Sequence, residues 1–489
     1  MKKSTLIIVC YLFTFHCATR LIDKTINPRL LNRSVNRTFY TKNQLLHIDY
    51  EILMEYHGNT SAVGFIFSVE SILANNVVHL EAVQLDSFTE SKLRIQEVNV
   101  ENLSGVYWFI GFKHPLLNRQ SVRVKTSAVL ARCLRPLPAY INQEEVQLVV
   151  LHASHYFYSA YCTDQQVTVV KLPSFNVESY SIIQPTKKYL NTISYGPYRG
   201  ISAFNTSDMR IHFESNAALL TVKSLKRVIK ISPWGNIAVA ERIRLQNTGA
   251  ALKGPFSRYV YMMHHGMSDT ASANNITPVL PKSANNIYYI DDLGNISTSH
   301  VLNTEDSINL TLEFRYPLLG GWNISLIIGY DVPASEYVFH IEDDYVLHMP
   351  LINNLYEGMF IETLETVVII PEGAVGGELV IPFPVDRKDI SKYYMLLDTV
   401  GRTAVSFHIN NLVDKHIQCF QVHYHVPKTV LIYKPVLLIV LIFILIVLLW
   451  TIKNYKILSD FVSVNYWNRM PGRDATSEDS SCKNENEIK

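Results

Sequence analysis

The chain is poor in cysteine and in charged residues for its length. Six cysteines among 489 residues are too few for the disulfide-dense scaffold that small secreted domains use. Charged residues make up only 18% of the chain, below the roughly 25% of soluble domains, and 44 basic residues face 43 acidic ones. The chain therefore has no overall basic field that would favour nucleic acid as a partner, and its 48% hydrophobic content excludes a disordered protein.

Motifs for common enzyme chemistry are also missing. The sequence contains no His-Glu-x-x-His zinc motif, no Gly-x-Ser-x-Gly elbow, no P-loop and no Gly-x-Gly-x-x-Gly fingerprint. His423 and His425 would share one strand face with a geometry that a metal could use, but solvated histidines are the simpler interpretation. Asp291-Asp292 and Asp343-Asp344 are typical of acidic turns, although paired carboxylates can also serve as acid and base. The sequence therefore predicts no catalytic, cofactor or metal site.

Two hydrophobic segments near the ends of the chain predict its relation to a membrane. Residues 1–19 combine a basic start, a short apolar core and small residues, as a secretory signal peptide does. Residues 430–452 are long enough, at about 1.5 Å per residue, to cross a hydrocarbon core of roughly 30 Å as a helix. An N-terminal anchor and a buried soluble helix are the alternatives. The pattern predicts a single-pass type I membrane protein, with residues 20–429 lumenal or extracellular and a short cytosolic tail over 453–489.

Glycosylation sequons support this orientation independently, because all of them precede the apolar segment. The sequon at Asn275 is followed directly by Pro278, which makes it a doubtful acceptor. The remaining candidate glycosylation sites are Asn32, Asn36, Asn59, Asn102, Asn205, Asn295, Asn309 and Asn323.

Alternation of apolar and polar residues predicts β structure before the membrane. Residues 308–314 alternate without error, and residues 122–126 and 420–426 follow the same pattern. Residues 237–245 break it only at Glu241. Antiparallel sheets with one packed face fit this alternation, and a sandwich pairs two such faces. The predicted fold is therefore mainly β, with antiparallel β-sandwich-like packing.

An internal repeat divides this β region into two parts. Four pairs of similar segments recur in the same order, about 200 residues apart: 112–117 with 314–319, 150–152 with 346–348, 169–173 with 367–371, and the strands after Arg37 with those after Arg227. Such a period is far too long for a solenoid. The repeat predicts two tandem β domains, over residues 20–222 and 223–429.

Cys133, Cys162 and Cys419 are the cysteines of the predicted lumenal region. In an oxidising compartment a Cys133–Cys162 disulfide would close a loop and stabilise the fold by roughly 3 kcal/mol. That pairing would leave Cys419 without a partner, and a buried free thiol is an equally good interpretation.

Nine strings of residues are shared, in order, with one known family. They are His-Tyr-Phe-Tyr at 155–158, Asn-Val-Glu-Ser-Tyr at 176–180, Tyr-Gly-Pro at 195–197, Trp-Gly-Asn-Ile-Ala-Val at 234–239, Leu-Lys-Gly-Pro-Phe-Ser-Arg at 252–258, Gly-Asn-Ile-Ser-Thr-Ser-His at 294–300, Arg-Tyr-Pro-Leu-Leu-Gly-Gly-Trp at 315–322, Pro-Glu-Gly-Ala at 371–374 and Leu-Asp-Thr-Val-Gly-Arg at 397–402. Over roughly residues 30–455 the chain resembles ribophorin I, the single-span subunit 1 of the oligosaccharyltransferase complex of the endoplasmic reticulum.

The resemblance implies two tandem lumenal β-sandwich-like domains, a non-catalytic role and no cofactor. The complex transfers a preassembled oligosaccharide from dolichyl diphosphate to Asn of Asn-X-Ser/Thr in nascent polypeptides. Catalysis belongs to a separate polytopic subunit with a metal site and a Trp-Trp-Asp motif, and this chain has no adjacent Trp pair. The expected partners are the other subunits, nascent polypeptides and the endoplasmic reticulum membrane. The resemblance also places Asn295 on a glycosylation site of family members.

One departure from the family is the short segment after the apolar helix. Animal members carry a longer cytosolic helical bundle that faces the ribosome, whereas residues 453–489 here end in a polar tail. The resemblance therefore leaves ribosome docking by this chain open. A cell-surface receptor or adhesion ectodomain fits the same topology and sequons. An enzyme related to certain peptidases is the third hypothesis, and the missing zinc motif argues against it.

Overall fold

A computed structural model describes residues 22–86, 90–100, 103, 105–263, 271–341, 344–395, 398 and 400–467. The predicted signal peptide over 1–19, the Asn102 sequon, Asp343 and the end of the predicted tail lie outside the described residues. Strands account for 59% of the chain and helices for 10%. These proportions confirm the prediction of a mainly β fold.

The first half of the β region ends at Leu219. Its strands are β1 Ile22–Lys24, β2 Leu30–Lys42, β3 Leu45–Tyr56, β4 Ala62–Ser68, β5 Val77–Leu85, β6 Glu90–Lys92, β7 Ile95–Val100, β8 Tyr107–Leu116, β9 Ser121–Leu130, β10 Leu134–Pro136, β11 Tyr140–Ile141, β12 Leu148–Ser154, β13 Thr163–Lys171, β14 Val177–Tyr180, β15 Thr186–Tyr189, β16 Thr192–Ile201 and β17 Asp208–Glu214. One short helix, α1, covers Ser71–Ala74.

The second half runs from Leu220 to Val426. Its strands are β18 Leu220–Ile231, β19 Asn236–Asn247, β20 Ala251–Leu252, β21 Ala273–Ile276, β22 Val279–Pro281, β23 Asn285–Asp291, β24 Gly294–Asn295, β25 Ser299–Asn303, β26 Ser307–Leu318, β27 Asn323–Pro333, β28 Val338–Ile341, β29 Asp344–Pro350, β30 Phe360–Ile369, β31 Val375–Val380, β32 Arg387–Tyr393, β33 Arg402–Val413 and β34 Cys419–His425. Its helices are α2 Arg258–Met263, α3 Ala334–Tyr337 and a 3-10 turn at Asp414–His416.

Each half contains one eight-stranded sheet, and the two sheets share one strand order. The first runs β15-β16-β13-β2-β3-β9-β5-β6, and the second runs β32-β33-β30-β18-β19-β27-β23-β24. In both sheets the long hairpin at the centre, β2–β3 or β18–β19, pairs on one side with a parallel strand, β13 or β30. A duplicated unit would produce this correspondence.

Smaller sheets cover the inner face of each eight-stranded sheet. In the first half they are β1-β7-β8-β4 and β10-β12-β17-β14, and in the second half they are built around β26 and around the β29–β34 pair. The first core contains Phe39 from the large sheet together with Phe67 and Phe213 from the small sheets, all buried. The second core, with Ile229 and Leu310, is built in the same way. Each half therefore buries its apolar side chains between layers of sheet.

The alternating segments have the predicted burial. Val122, Val124 and Thr126 are buried in β9, and Phe420, Val422 and Tyr424 are buried in β34. In β19 every inward position is buried, and this includes Glu241, which is 1% exposed. The one break in that sequence pattern is therefore a carboxylate inside the core.

A buried arginine occupies the same place in each half. Arg37 of β2 and Arg227 of β18 are 1% and 0% exposed, and each lies beside a threonine of the parallel neighbour strand. Arg37 donates hydrogen bonds to the main-chain oxygens of Ser154, the last residue of β12, and of His155 and Tyr156, which follow it. The guanidinium thus joins the large sheet to the end of a strand in the facing sheet.

Arg227 makes the equivalent contacts in the second half. Its Nη1 donates to the main-chain oxygens of Pro350 and Leu351 at 2.8 and 2.9 Å. The residue opposite Arg227 on the hairpin is Glu241, whereas Tyr50 stands opposite Arg37. Nε of Arg227 lies 3.3 Å from Oε1 of Glu241. Burial raises the pKa of Glu241, and the nearby guanidinium opposes that rise.

The two halves are in contact, and residues up to Val426 form one compact unit. Leu45, Val129 and Ala131 of the first half pack with Phe360 and Val413 of the second. The β region has two hydrophobic cores but forms one compact unit. The two-domain organisation with a boundary at residue 222 therefore stays a prediction.

Histidines line this junction. The rings of His79 and His416 are 5.5 Å apart, His416 packs on Phe383 at 4.6 Å, and His47 stacks on Tyr40 at 5.0 Å. Burial lowers the pKa of His47 and His79 and lowers that of His416 to about 4. The three imidazoles are therefore neutral in the folded protein near pH 7.

The C-terminal unit contains one long helix, α4, at Lys428–Trp467. Within it lies the apolar segment Pro435–Lys456 of 22 residues, whose most apolar stretch of 18 residues has a mean hydropathy of 3.2. At about 1.5 Å per residue they extend roughly 33 Å, which is enough to cross a bilayer core. The helix contains the whole predicted segment 430–452 and continues beyond it.

Replacing Arg227 with Met should destabilise the β region by about 3–5 kcal/mol, because Glu241 would stay buried without its cationic partner. Unfolding of the detergent-solubilised full chain, followed by tryptophan fluorescence in urea, measures the loss. The double variant Arg227→Met/Glu241→Leu should recover most of it, since no charge is then left in the core.

Lys226→Met is the matched control, because Lys226 precedes Arg227 on β18 but pairs with Glu365 at the surface. An exposed pair of this kind contributes about 0.2–1 kcal/mol. Equal midpoints for Arg227→Met and Lys226→Met would contradict the structural role of the buried pair.

Lowering the pH should weaken the histidine junction. A histidine with a lowered folded-state pKa contributes stability that is complete above pH 6.5 and is lost as the pH falls, because the unfolded chain takes up the proton first. For His416 the loss between pH 6.5 and its pKa of about 4 is on the order of 3 kcal/mol. Melting temperatures measured from pH 7.5 to 4.5 should fall less steeply for His416→Gln, whereas the exposed control His300→Gln should follow the parent curve.

Candidate functional site

The outer face of the first eight-stranded sheet carries a concave polar groove. Inward residues of β2 alternate with Asn36, Thr38 and Tyr40, which face outward. The groove has a volume of about 620 Å³ and is lined by Asn36, Thr38, Tyr40, Asp49, Glu51, Lys125 and Lys171. We define these seven residues as the polar groove.

Strand register brings the groove residues together. Asn36 lies opposite Glu51, and Thr38 lies opposite Asp49, on the β2–β3 hairpin. Glu51 in turn faces Lys125 on β9. These residues are far apart in sequence, so no short motif reveals the groove.

The groove is polar but has no net charge, since Asp49 and Glu51 balance Lys125 and Lys171. Asp49 accepts a hydrogen bond from the Ser127 hydroxyl at 2.7 Å. Across the part of the chain that the structure describes, Glu51, Lys125 and Lys171 form no ion pair. Burial and the nearby Asp49 raise the pKa of Tyr40, so its hydroxyl stays protonated.

The predicted glycosylation sites differ in exposure. Asn309 is half-buried near the start of β26, and Asn32 is buried. The exposed candidates are Asn36, Asn59, Asn205, Asn295 and Asn323. The doubtful Asn275 is also exposed. The occupancy of every sequon stays a prediction.

Asn32 uses its side-chain amide within the core. It is 1% exposed, and its Nδ2 donates to the hydroxyls of Ser159 and Thr163, both at 3.1 Å. A glycan on this nitrogen would remove a donor and has no path to solvent. The fold therefore argues against Asn32 as a modified residue.

Asn295 lies in a hairpin that two ionic side chains hold. The Asp291 carboxylate accepts hydrogen bonds from the main-chain N–H groups of Leu293 and Gly294, both at 2.9 Å. Arg315 pairs with Asp291 and donates to the Asn295 carbonyl at 2.8 Å. The hydrogen bond from Arg315 lowers the pKa of Asp291. Sequence reasoning placed Asp291 in a turn but did not find Arg315 as its partner.

Cys133, Cys162 and Cys419 are free thiols in the structure. Cys133 is buried, and burial raises the pKa of its thiol to about 12. Cys162 is exposed. The structure thus contains no Cys133–Cys162 disulfide, and the pairing stays a prediction.

The histidine pair considered as a metal site lies on β34. His425 contacts the Asp344 carboxylate at 2.9 Å, while His423 faces Val346 and Glu378 on the neighbouring strands. Among the described residues, no group of three or more His, Cys, Asp or Glu side chains could hold a metal ion.

Comparison with known proteins gives the family. The family model described as Ribophorin I matches residues 30–453. The chain belongs to the ribophorin I family. It is similar to dolichyl-diphosphooligosaccharide–protein glycosyltransferase subunit 1B of Arabidopsis thaliana, with 36% identity over 68% of this chain and 72% of the relative. It is also similar to subunit 1 of Caenorhabditis elegans, with 35% identity over 71% of this chain and 60% of the relative.

Similarity to solved structures is weak. Yeast LTA4 hydrolase matches with a TM-score of 0.26 and 11% identity, over 42% of this chain and 32% of the enzyme. This value is too low to support an argument about function.

Strings shared with the ribophorin I family occupy structural positions. His155 and Tyr156 supply carbonyls to Arg37, and the His155 ring lies 3.0 Å from the Ser181 hydroxyl. Gly320 approaches Ala250 so closely that a Cβ would lie 1.8 Å from its carbonyl oxygen. The residues of these strings therefore take part in packing between sheets and in close contacts between turns.

Glycopeptide mass spectrometry of the full chain from a eukaryotic host should find Asn295 and Asn323 modified and Asn32 unmodified, because only Asn32 is enclosed and hydrogen-bonded. Asn32→Gln should also lower the melting temperature through loss of its two hydrogen bonds, each worth about 0.5–1.5 kcal/mol. Asn295→Gln is the matched control, since it removes an exposed side chain. A glycan on Asn32 in folded protein would contradict the described packing.

Proposed function

We propose that this chain is a non-catalytic accessory subunit of the endoplasmic reticulum oligosaccharyltransferase complex. In this role it supports transfer of a preassembled oligosaccharide from dolichyl diphosphate to Asn of Asn-X-Ser/Thr in nascent polypeptides. The chain would be a single-pass type I protein with residues 20–429 in the lumen.

Membership in the ribophorin I family carries this proposal. The family match spans residues 30–453, which includes both halves and most of the apolar helix. Relatives from a plant and a nematode are both named as subunit 1 of the same glycosyltransferase. A function common to such distant relatives belongs to the shared region, which this chain contains.

The anchor and the sequons favour the same placement. One helix among the described residues is long and apolar enough to cross a membrane. Exposed sequons lie on the β region in both halves, for example Asn59 and Asn323. Glycosylation requires exposure to the lumen, so modified sequons would fix the side of the membrane on which the β region lies.

A supporting rather than catalytic role agrees with how the chain uses its buried ionisable groups. Arg37, Arg227 and Glu241 are at most 1% exposed and bond to main-chain oxygens or to each other. These groups lie where no substrate can reach, so they hold sheets together. Catalysis would then belong to a separate polytopic subunit.

A role in presenting acceptor polypeptides fits the exposed surface. Tyr189 on edge strand β15 is 76% exposed, and Tyr394, directly after edge strand β32, is 65% exposed. Edge strands leave main-chain donors and acceptors unpaired, and extended peptides use these groups when they add to a sheet. Exposed tyrosines beside such edges offer contacts that do not depend on the peptide sequence.

Affinity purification of the tagged full chain from solubilised microsomes should recover the polytopic catalytic subunit and other oligosaccharyltransferase subunits, because an accessory subunit is held in the complex. Mass spectrometry of the eluate measures this recovery. A control variant that keeps residues 1–427 but takes its membrane helix from an unrelated type I protein tests whether the helix contributes to assembly. Recovery of the parent chain without any such subunit, together with its presence at the cell surface, would refute the proposal in favour of a receptor.

A further inference from the structure

We infer that Asn36 is a glycosylation site whose sugar lies in the polar groove of its own sheet. The inference rests on the lumenal placement given under the proposed function and goes beyond it, because it assigns a ligand to the groove. The occupant is the first part of an N-linked glycan, and the groove holds it against the outer face of the β2–β3 hairpin.

The position of Asn36 is the first observation. The sequon Asn36-Arg37-Thr38 lies within β2, with the Asn36 and Thr38 side chains outward and the arginine inward. Asn36 is exposed, and both outward residues line the groove. A sugar joined to Asn36 therefore starts inside the groove and does not have to reach it from elsewhere.

The chemistry of the lining is the second observation. Asp49 and Glu51 can accept hydrogen bonds from sugar hydroxyls, and Lys125 and Lys171 can donate to them. Tyr40 adds an aromatic surface with a polar tip. Equal numbers of acidic and basic groups match an uncharged, hydroxyl-rich ligand better than an anion or a cation. The volume of about 620 Å³ is within the roughly 300–1,000 Å³ of small-molecule sites.

The second half provides an internal comparison. Counting from the two buried arginines, Lys226 takes the place of Asn36, and it pairs with Glu365 at 2.7 Å. Lys223 on the same strand pairs with Glu362 at 2.7 Å. These two lysines of the second sheet are therefore paired, whereas Glu51, Lys125 and Lys171 of the first sheet form no ion pair within the described residues. Charged groups left without partners around a sequon are suited to a polar ligand that the chain itself carries.

The test compares enzymatic release of two glycans from one protein. The full chain is purified under native conditions, digested with a peptide N-glycosidase, and analysed by site-resolved mass spectrometry over time. The Asn36 glycan should be cleaved about tenfold more slowly than the Asn295 glycan, because the glycosidase can bind the Asn36 glycan only while the sugar is out of the groove. After denaturation the two rates should be equal.

Variants separate groove contacts from general effects. Glu51→Ala and Lys125→Ala should each bring the Asn36 release rate towards that of Asn295. Glu365→Ala on the outer face of the second sheet is the matched control and should leave the ratio unchanged. Thr38→Ser preserves the sequon and should preserve the glycan, whereas Asn36→Gln should remove one glycan from the mass.

The outcomes are distinguishable. An unmodified Asn36 beside a modified Asn295, or equal native release rates at the two sites, would overturn the groove assignment while leaving the proposed function intact. A chain with none of its sequons modified would overturn the lumenal placement and the groove assignment together.

Discussion

A buried guanidinium at the centre of each large sheet is the constraint on which the rest of the structure depends. Arg37 and Arg227 enter the core from the central hairpin and bond to carbonyls at the end of a facing strand. A buried charge is tolerated only when hydrogen bonds or an opposite charge offset its lost hydration, so the two layers must keep one spacing and one register. The apolar core then fills the space that these contacts define.

The same constraint explains why the halves resemble each other inside and differ outside. The inner face must supply carbonyls and, in the second half, the carboxylate of Glu241. Side chains on the outer face do not contact the buried arginines, so equivalent outward positions differ between the halves. Asn36 is part of a sequon, whereas Lys226 forms an ion pair. The polar groove lies on the outer face of the first sheet.

The strands were predictable because burial on one face leaves an alternating pattern, as in residues 122–126 and 420–426. The apolar helix was predictable because its length and hydropathy are local properties. The pairing of Glu241 with Arg227 was not predictable from the sequence. The only indication was that Glu241 occupies an inward position among the apolar residues of 237–245. Asn32 and Asn36 look equivalent as sequons, yet one lies in the core and the other in the groove. The groove residues come from four strands, and only their pairing brings them together.

The sequence by itself determined the mainly β fold, the C-terminal helix that is long and apolar enough to cross a membrane, and the resemblance to ribophorin I. Each of these depends on local periodicity, on composition or on unbroken strings of residues. Only the tertiary structure decided which carboxylate is buried, which sequon asparagine is enclosed in the core and which charged side chains of the polar groove form no ion pair within the described residues. Those properties depend on the register between distant strands, which packing of the two sheet layers around the buried arginines establishes.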